Sequence, residues 1–298
     1  MQQFQVTSDS LNIRSAPMVD EANQLASLPK GYIVSKIKNS ENDKWWKVAT
    51  IIEGKTLEGF VAQKFLSPVT KFSIKTVLKI GEIPILQANG ESAFFYEAGM
   101  SINADGAPNA YHPADRGIDF LANAGYSDNW WALAVDKNGN PFIQSSTDPY
   151  PGYYISTTAL FDSGFAKQDP RRYVDSTKIP YIVLPGNGDF RKATGVKLGD
   201  FAVVYNTNNE KLAFAIYADV GPKNQIGEGS IALSQAVGND PLVQSRVRRG
   251  IAKDIVYIVF PGSGNGKART ISEIEAETKR FFEIWGGVER IKTLDNKV

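Results

Sequence analysis

Short apolar runs punctuated by turn-forming residues constrain this chain more than any other feature of it. Its 26 glycines and 15 prolines are spread through 298 residues rather than pooled in one region. Between them lie runs rich in β-branched and aromatic residues: Pro180 to Pro185, Phe201 to Tyr205, Leu212 to Ala218 and Ile255 to Phe260. Runs of that length and composition, bounded by Gly, Pro, Asn and Asp, read as strands. A mainly β protein follows. Trp130 to Val135 reads as a further strand, leading into a hairpin at Asp136-Lys-Asn-Gly-Asn, because an Asn-Gly pair tolerates positive φ angles. Three helices are expected. One runs from Ala114 to Ala124, entered at Pro113, and a short one from Ser230 to Val237. The third runs from Ser272 to Trp285, with Ser272 and Glu275 as its capping box and Gly286-Gly287 as its stop. A chain of this length is expected to hold two domains. The boundary is placed between residues 69 and 70, within a lysine-bearing, glycine-poor stretch from Ser67 to Lys79 that would link residues 1–69 to residues 70–298.

Elimination narrows the chemistry. With no cysteine and one histidine, His112, the chain offers no disulfide, no thiol nucleophile and no multi-histidine metal site, so neither metal nor cofactor is expected. No Gly-x-Ser-x-Gly elbow presents a serine. Gly262-Ser-Gly-Asn-Gly follows a strand but lacks the Lys-Ser/Thr ending of a phosphate-binding loop, so it reads as a turn. A net charge of +1 without a basic stripe argues against a nucleic-acid partner. No apolar run approaches the length of a membrane span, and the polar Met1 to Ser10 segment shows no cleavable signal. From Glu97 to Glu228 there are 15 acidic residues against 11 basic ones, a local excess that would attract a cationic ligand.

Carboxylates remain, and paired carboxylates are the usual apparatus of glycoside cleavage. The best candidate pair is Asp219 and Glu228. Asp219 ends an apolar strand, where side chains project into loops and clefts, and Gly221-Pro222 then turns the chain. Glu228 sits between Gly227 and Gly229, where backbone can approach a ligand closely. Taken alone, an Asp before Gly-Pro is equally a turn cap.

Two resemblances sharpen this. Leu11-Asn-Ile-Arg-Ser-Ala-Pro, Gly31, Asp43-Lys-Trp-Trp-Lys-Val and Glu58-Gly-Phe-Val-Ala-Gln-Lys-Phe-Leu, in that order, resemble the bacterial SH3 domain. That resemblance implies a small, non-catalytic barrel with a cell-wall or other polymeric ligand. Further on, the chain is similar to the family 75 glycoside hydrolases, the fungal-type chitosanases. The similarity is carried by Ser101-Ile-Asn-Ala-Asp105, Asp115-Arg-Gly-Ile-Asp119, Gln144 to Leu160, Asp169 to Asp175, Gly199-Asp-Phe, Ala218-Asp-Val-Gly-Pro, Gly227-Glu-Gly-Ser and Val259-Phe-Pro-Gly. It spans about Asn103 to Trp285. It implies internal hydrolysis of β-1,4-linked glucosamine chains with inversion, the catalytic carboxylates falling on Asp219 and Glu228. Glu228 is assigned as general acid and Asp219 as general base, with carboxyls far enough apart to hold a water.

Asp105, Asp115, Asp119, Asp148 and Asp175 are candidates to pair with glucosamine ammonium groups, each with a turn or cap as the alternative. Tyr150, Tyr153 and Tyr154 are candidates for sugar stacking, and His112 for substrate contact or for a hydrogen-bonded structural role. At least one of Trp130 and Trp131, and of Trp45 and Trp46, should be core. The expected architecture is an SH3-like barrel followed by a β-rich catalytic domain with a few helices. The strand–Asp–turn–helix order from Asp219 to Val237 suggests a six-stranded barrel of double-psi type, mainly antiparallel. The expected partner is a polysaccharide, and the expected location is secreted or cell-wall associated. Two alternatives stand: a peptidoglycan glycosidase targeted by the SH3-like domain, and a non-catalytic wall-binding protein.

Overall fold

A computed structural model describes residues 1–69 and 72–294. Residues 70–71, beside the expected domain boundary, and 295–298, at the chain's end, lie outside the described residues. The N-terminal sheet has seven strands: β1 (Gln3–Val6), β2 (Ser10–Arg14), β3 (Gln24–Pro29), β4 (Ile33–Asn39), β5 (Trp45–Ile52), β6 (Lys55–Ala62) and β7 (Leu66–Pro68). Their order is β3-β2-β6-β5-β4-β1-β7, around a core that includes Phe4, Val6, Ile13, Leu28, Val34, Val48 and Val61. Trp45 is buried. Trp46 is half-buried, edge-on to Phe4 and beneath Lys36, so the two rings take opposite faces as strand alternation requires.

The second sheet begins with β8 (Ile74–Ile80), β9 (Ile83–Ala88) and β10 (Phe94–Asn103). A long excursion follows that holds only the two-residue strands β11 (Gly125–Tyr126) and β12 (Asn129–Trp130). The chain then runs through β13 (Tyr181–Pro185), α1 (Gly188–Thr194), β14 (Phe201–Asn206), β15 (Lys211–Gly221), β16 (Glu228–Ser230) and α2 (Ile231–Ala236). It ends with β17 (Leu242–Val243), β18 (Arg246–Val247), β19 (Ile251–Phe260), α3 (Ile271–Trp285) and α4 (Gly287–Leu294). Six strands close on themselves in the order β10-β16-β13-β15-β14-β19 and back to β10. Two pairings, β10 with β16 and β13 with β15, are parallel, and the other four are antiparallel. The mainly β architecture and the six-stranded barrel are therefore as the sequence suggests. Closure leaves these strands no unpaired edge.

Alternate residues along the six strands fall into two sets. Tyr96, Met100, Ile182, Tyr217 and Tyr257 cluster with Phe190 of α1 and Leu233 of α2. Val183, Phe201, Val203, Ile216 and Ile258 cluster with Ile274, Phe281 and Phe282 of α3. Because α3 keeps a solvent face and also touches β4 and β5, the second set is the barrel's outer wall and the first its interior.

Local structure departs from the sequence expectations in identifiable places. No α-helix spans 114–124; only a 3-10 turn forms at Leu121–Ala124. There the chain doubles back instead. Ile118 and Asp119 bond to the carbonyls of Asn109 and Ala110, and a Cβ at Gly117 would stand 2.0 Å from the Ala110 carbonyl oxygen. The Asp115 and Asp119 carboxylates accept from the Leu121 and Phe120 N–H groups, which competes with helical bonding. α3 starts one residue earlier than expected, and its capping box is Thr270 with Glu273 rather than Ser272 with Glu275. The earlier Thr-x-x-Glu satisfies the same pattern. The Trp130 strand shortens to a two-residue pairing followed by isolated bridges, although the turn closes where expected, Asp136 N–H donating to the Asn140 carbonyl. The presumed linker is mostly strand. Leu66 pairs with Val6 in the first barrel, and Ile74 with Ala88 in the second sheet.

Where the two barrels meet, the C-terminus of α3 is embedded. Its last carbonyls lack intrahelical partners. Gln3 Nε2 donates to Trp285 O at 2.7 Å and Ser35 Oγ to Ile284 O at 2.5 Å, so the N-terminal barrel caps the helix. Arg290 also reaches Trp285 O and forms a two-pronged pair with Glu91, both contacts at 2.7 Å, with the Arg290 side chain only 2% exposed. Replacing Glu91 with Leu would leave that guanidinium uncompensated. Urea denaturation is expected to show a loss of about 3 kcal/mol or more.

Candidate active site

Parallel and antiparallel pairing place the two predicted catalytic carboxylates on either side of one residue. Val183 of β13 is opposite Asp219 in β15 and opposite Glu228 in β16. Directly paired residues share a face, so both side chains stand on the barrel's outer wall with their backbones two strand spacings apart, roughly 9–10 Å. A register shift between Ile182 and Val183 is what brings Asp219, rather than Ala218, opposite Val183. Gly221 keeps the space between them open: a Cβ there would lie 3.1 Å from Val183 Cγ1 and 3.4 Å from Glu228 Oε2.

The glycines beside Glu228 have another explanation than close approach of a ligand. A Cβ at Gly227 (φ +90°) would meet Ala98 Cβ and the Gly99 carbonyl at 2.8 Å, and one at Gly229 would meet Leu233 Cδ2 at 2.8 Å. They let β16 lie against β10 and α2.

Asp105 joins the pair. It follows β10, whose last residue Asn103 donates to Glu228 Oε1 at 2.9 Å and lies 3.4 Å from Asp105 Oδ2. Asp219 Oδ1 accepts from the N–H groups of Ala159 and Val220, each at 2.9 Å, so the excursion 104–180 is pinned against the carboxylate it covers. Tyr111 donates to Asp105 Oδ1 at 2.7 Å and lies 3.4 Å from Asp119 Oδ2.

Burial dominates the electrostatics. Asp219 is 8% exposed, and desolvation pushes its carboxyl up to about 7 despite its two backbone donors, with the Glu228 charge adding to the rise. Desolvation also raises Asp105 well above the ordinary carboxylate range, helped by the neighbouring Asp219 charge, and it raises Glu228 against the opposing Asn103 hydrogen bond. Asp119, buried as well, is raised by the same cause. Among the described residues neither Asp219 nor Glu228 forms an ion pair. A cavity of about 590 Å³ is lined in part by Ser101, Gly227, Arg248 and Arg249, and none of Asp105, Asp219 and Glu228 lines it.

The other predicted residues are engaged locally. Asp115 is held below the ordinary range by Arg246, which donates to it at 2.9 Å, and ties the 115–121 turn. Asp148 caps a turn through Ser145, and Asp175 pairs with Lys178 at 2.9 Å. His112 Nδ1 accepts from Ala114 N–H, and Arg116 Nε stands 3.0 Å from Nε2. Desolvation first and the Arg116 charge second keep its pKa low. Tyr153 lies edge-on to His112, and Tyr150 edge-on to Tyr153. Tyr154 and Trp130 pack as a half-buried pair, whereas Trp131 is 59% exposed and Tyr150 40%. Thus Asp105, Asp219 and Glu228 converge, with Asp119 one hydroxyl away, and Asp115, Asp148 and Asp175 do not join them. Asn103, Tyr111 and Tyr181, which complete the cluster, were not singled out from sequence. Asn103 and Tyr111 stand within motifs quoted above, but no spacing rule marks a strand-end amide or a buried phenol as part of a site. Gly262-Ser-Gly-Asn-Gly is a turn, as expected. Its Gly262 and Gly264 N–H groups bind the buried Asp200 carboxylate of this same chain.

A shared outer wall bearing converging carboxylates accords with what comparison finds. Residues 100–291 match the family described as fungal chitosanase of glycosyl hydrolase group 75. The chain belongs to that family. It is a glycoside hydrolase, and its residues 9–67 match the bacterial SH3 domain. No curated protein matches it. The hydrolase therefore carries its SH3 domain upstream of the barrel that bears the carboxylates.

Raised carboxyls link stability to pH. A group whose folded pKa exceeds its unfolded value stabilises fully below the unfolded value, and that contribution is lost as pH rises through the folded one. For Asp219 the window runs from about 4 to about 7. Asp219→Asn is expected to unfold at a higher temperature than the native protein at pH 8, with the gap shrinking by pH 5. Calorimetry at the two pH values measures it.

Proposed function

We propose that this protein hydrolyses a β-1,4-linked glucosamine polymer internally, by an inverting mechanism in which Asp219 and Glu228 act as the acid–base pair. The observation that carries the reading is their placement on one face, on opposite sides of Val183. Two strand spacings between backbones suit the roughly 6.5–9.5 Å that an inverting pair needs to hold a water. The absence of an ion pair at Asp219 and Glu228, among the described residues, favours a polymer that brings its own ammonium groups. Asp105 and Asp119 are positioned to receive them near the pair, and the exposed rings of Tyr150 and Trp131 offer stacking surfaces along the excursion.

Electrostatics favours exchanging the roles assigned from sequence. Asp219, held to about 7, retains a proton in mildly acidic solution and suits the acid that protonates the leaving oxygen. Glu228, which accepts the Asn103 amide, suits the base that draws a proton from water. The water's oxygen attacks the anomeric carbon from the face opposite the departing sugar, and the anomer is inverted. A polymeric substrate places the reaction outside the cell. We also place the division between modules near residues 69 and 70, with the SH3 domain holding a wall or polymer ligand. A bacterial SH3 domain joined to this barrel supports a second reading, in which the glycan is deacetylated peptidoglycan.

Incubation with chitosan, chitin and peptidoglycan, with new reducing ends counted and product anomers read by NMR, separates these readings. Release from chitosan with the α-anomer formed first is expected. Release from peptidoglycan alone would select the second reading, and release from none would exclude both. Glu228→Gln and Asp219→Asn are each expected to lower kcat by about 10²–10⁴-fold, and kcat/KM of the native enzyme to fall as pH rises through about 7. Azide should rescue Glu228→Ala and not Asp219→Ala. The reverse pattern would restore the original role assignment.

A further inference from the structure

Asn103 ends β10 and is 8% exposed. Its amide can face only one way. Oδ1 accepts from the Asp105 N–H at 2.7 Å, a group that can only donate, and the Tyr181 hydroxyl, with its single proton, lies 2.7 Å from Oδ1 and 2.9 Å from the Asp105 carbonyl. With the oxygen fixed by the Asp105 N–H, the Nδ2 group must point toward the carboxyls. It donates to Glu228 Oε1 at 2.9 Å, lies 3.4 Å from Asp105 Oδ2, and also acts to lower the pKa of the Asp219 carboxyl. One amide thus faces three carboxyls that come from three different parts of the chain: the loop after β10, the end of β15 and the start of β16.

Resting on the reading of Asp219 and Glu228 as the catalytic pair, we propose that Asn103 is a positioning residue whose amide aims Glu228 and determines which of the three carboxyls is ionised. Two N–H bonds shared among three acceptors cannot serve all of them fully. The shortest contact goes to Glu228, so Glu228 is the carboxyl that the amide favours as a carboxylate. Such a donor lowers the pKa of the carboxyl it binds, and the Asn103 contact acts on Glu228 in that sense. The other titratable groups around Glu228 and its partners are Asp105, Asp119 and Tyr111 from the excursion, Tyr181 from β13, Asp219 from β15 and Tyr257 from β19. Arg246 faces Asp119 as well, and the Asp119 charge is the one that opposes a charge on Glu228. The amide is therefore what offsets that opposition. Tyr181 completes the device: its hydroxyl lies against the amide oxygen of Asn103, on the side away from Glu228, and backs the orientation that the Asp105 N–H sets.

The test is the pH profile of kcat/KM on a glucosamine oligomer for Asn103→Leu and for Tyr181→Phe. Losing a hydrogen bond to a charged group of this strength should move the acid limb, which belongs to Glu228, upward by about one unit or more in Asn103→Leu. Tyr181→Phe should move it in the same direction by less, while preserving the packing of the ring. Should Asn103→Leu fail to fold, Tyr181→Phe alone decides. A uniform loss of activity at every pH, with the limb where it is in the native enzyme, would overturn the proposal, because a purely structural role predicts that. A second readout does not depend on turnover: titration of carbon-13-labelled glutamate carboxyls by NMR should show Glu228 holding its proton to higher pH in both variants. If Glu228 titrates unchanged, Asn103 has no such role, even if the enzyme proves to cleave another glycan. If it shifts while Glu228→Gln remains active, the amide orders the carboxyls but the assignment of the catalytic pair fails.

Discussion

Burying Asp105, Asp219 and Glu228 beside one another, with no ion pair to any of them among the described residues, is the constraint the rest of this barrel answers to. An isolated ionised carboxylate in such surroundings is strongly disfavoured, and several at once more so. The fold answers with dipoles rather than charges: two backbone N–H groups on Asp219, a phenol on Asp105 and one amide beside all three. These do not cancel the penalty, and Asp219 stays protonated to about 7. A site relaxed in that way would have no work to do. On the proposed reading, that residual penalty keeps a transferable proton in place at the pH where a glycosidic oxygen would receive one.

The barrel's topology makes this arrangement possible. Were β13 antiparallel to both of its neighbours, the end of β15 and the start of β16 would lie at opposite rims. Here the parallel pairing of β13 with β15 and the antiparallel pairing of β13 with β16 bring the end of one strand and the start of another to either side of Val183. The irregular excursion then seals the wall. Its compact turns, built from Asp115, Asp119 and Gly117, allow a stretch almost devoid of regular structure to fold back closely on itself.

Much of this could be read from the chain beforehand. The apolar runs marked the strands because a strand's burial pattern is local. Asp219 and Glu228 stood out because one closes such a run and the other is flanked by glycines, although the glycines serve strand packing. What escaped the sequence depends on distant partners. The turn at 114–124 has helical composition, yet it folds back because Asn109 and Ala110 accept its N–H groups. Asn103 looks like any polar strand end until Tyr181, 78 residues away, backs its orientation. Thr270 and Ser272 offer equivalent caps in sequence, and only packing chose between them.

The capping of α3 by Gln3 and Ser35 bears on how the two modules work together. A domain on a flexible linker searches a volume set by the linker's length, and its partner sees a diluted effective concentration. Here the first barrel is bonded to the end of a helix that itself lines the catalytic wall. Whatever the first barrel grips is therefore presented at one fixed distance and angle from the carboxylates. If the SH3 domain holds the same glycan that the barrel cleaves, as proposed, such an enzyme would read it as a ruler does, cutting at a set offset from the point of attachment rather than wherever a loose tether allows.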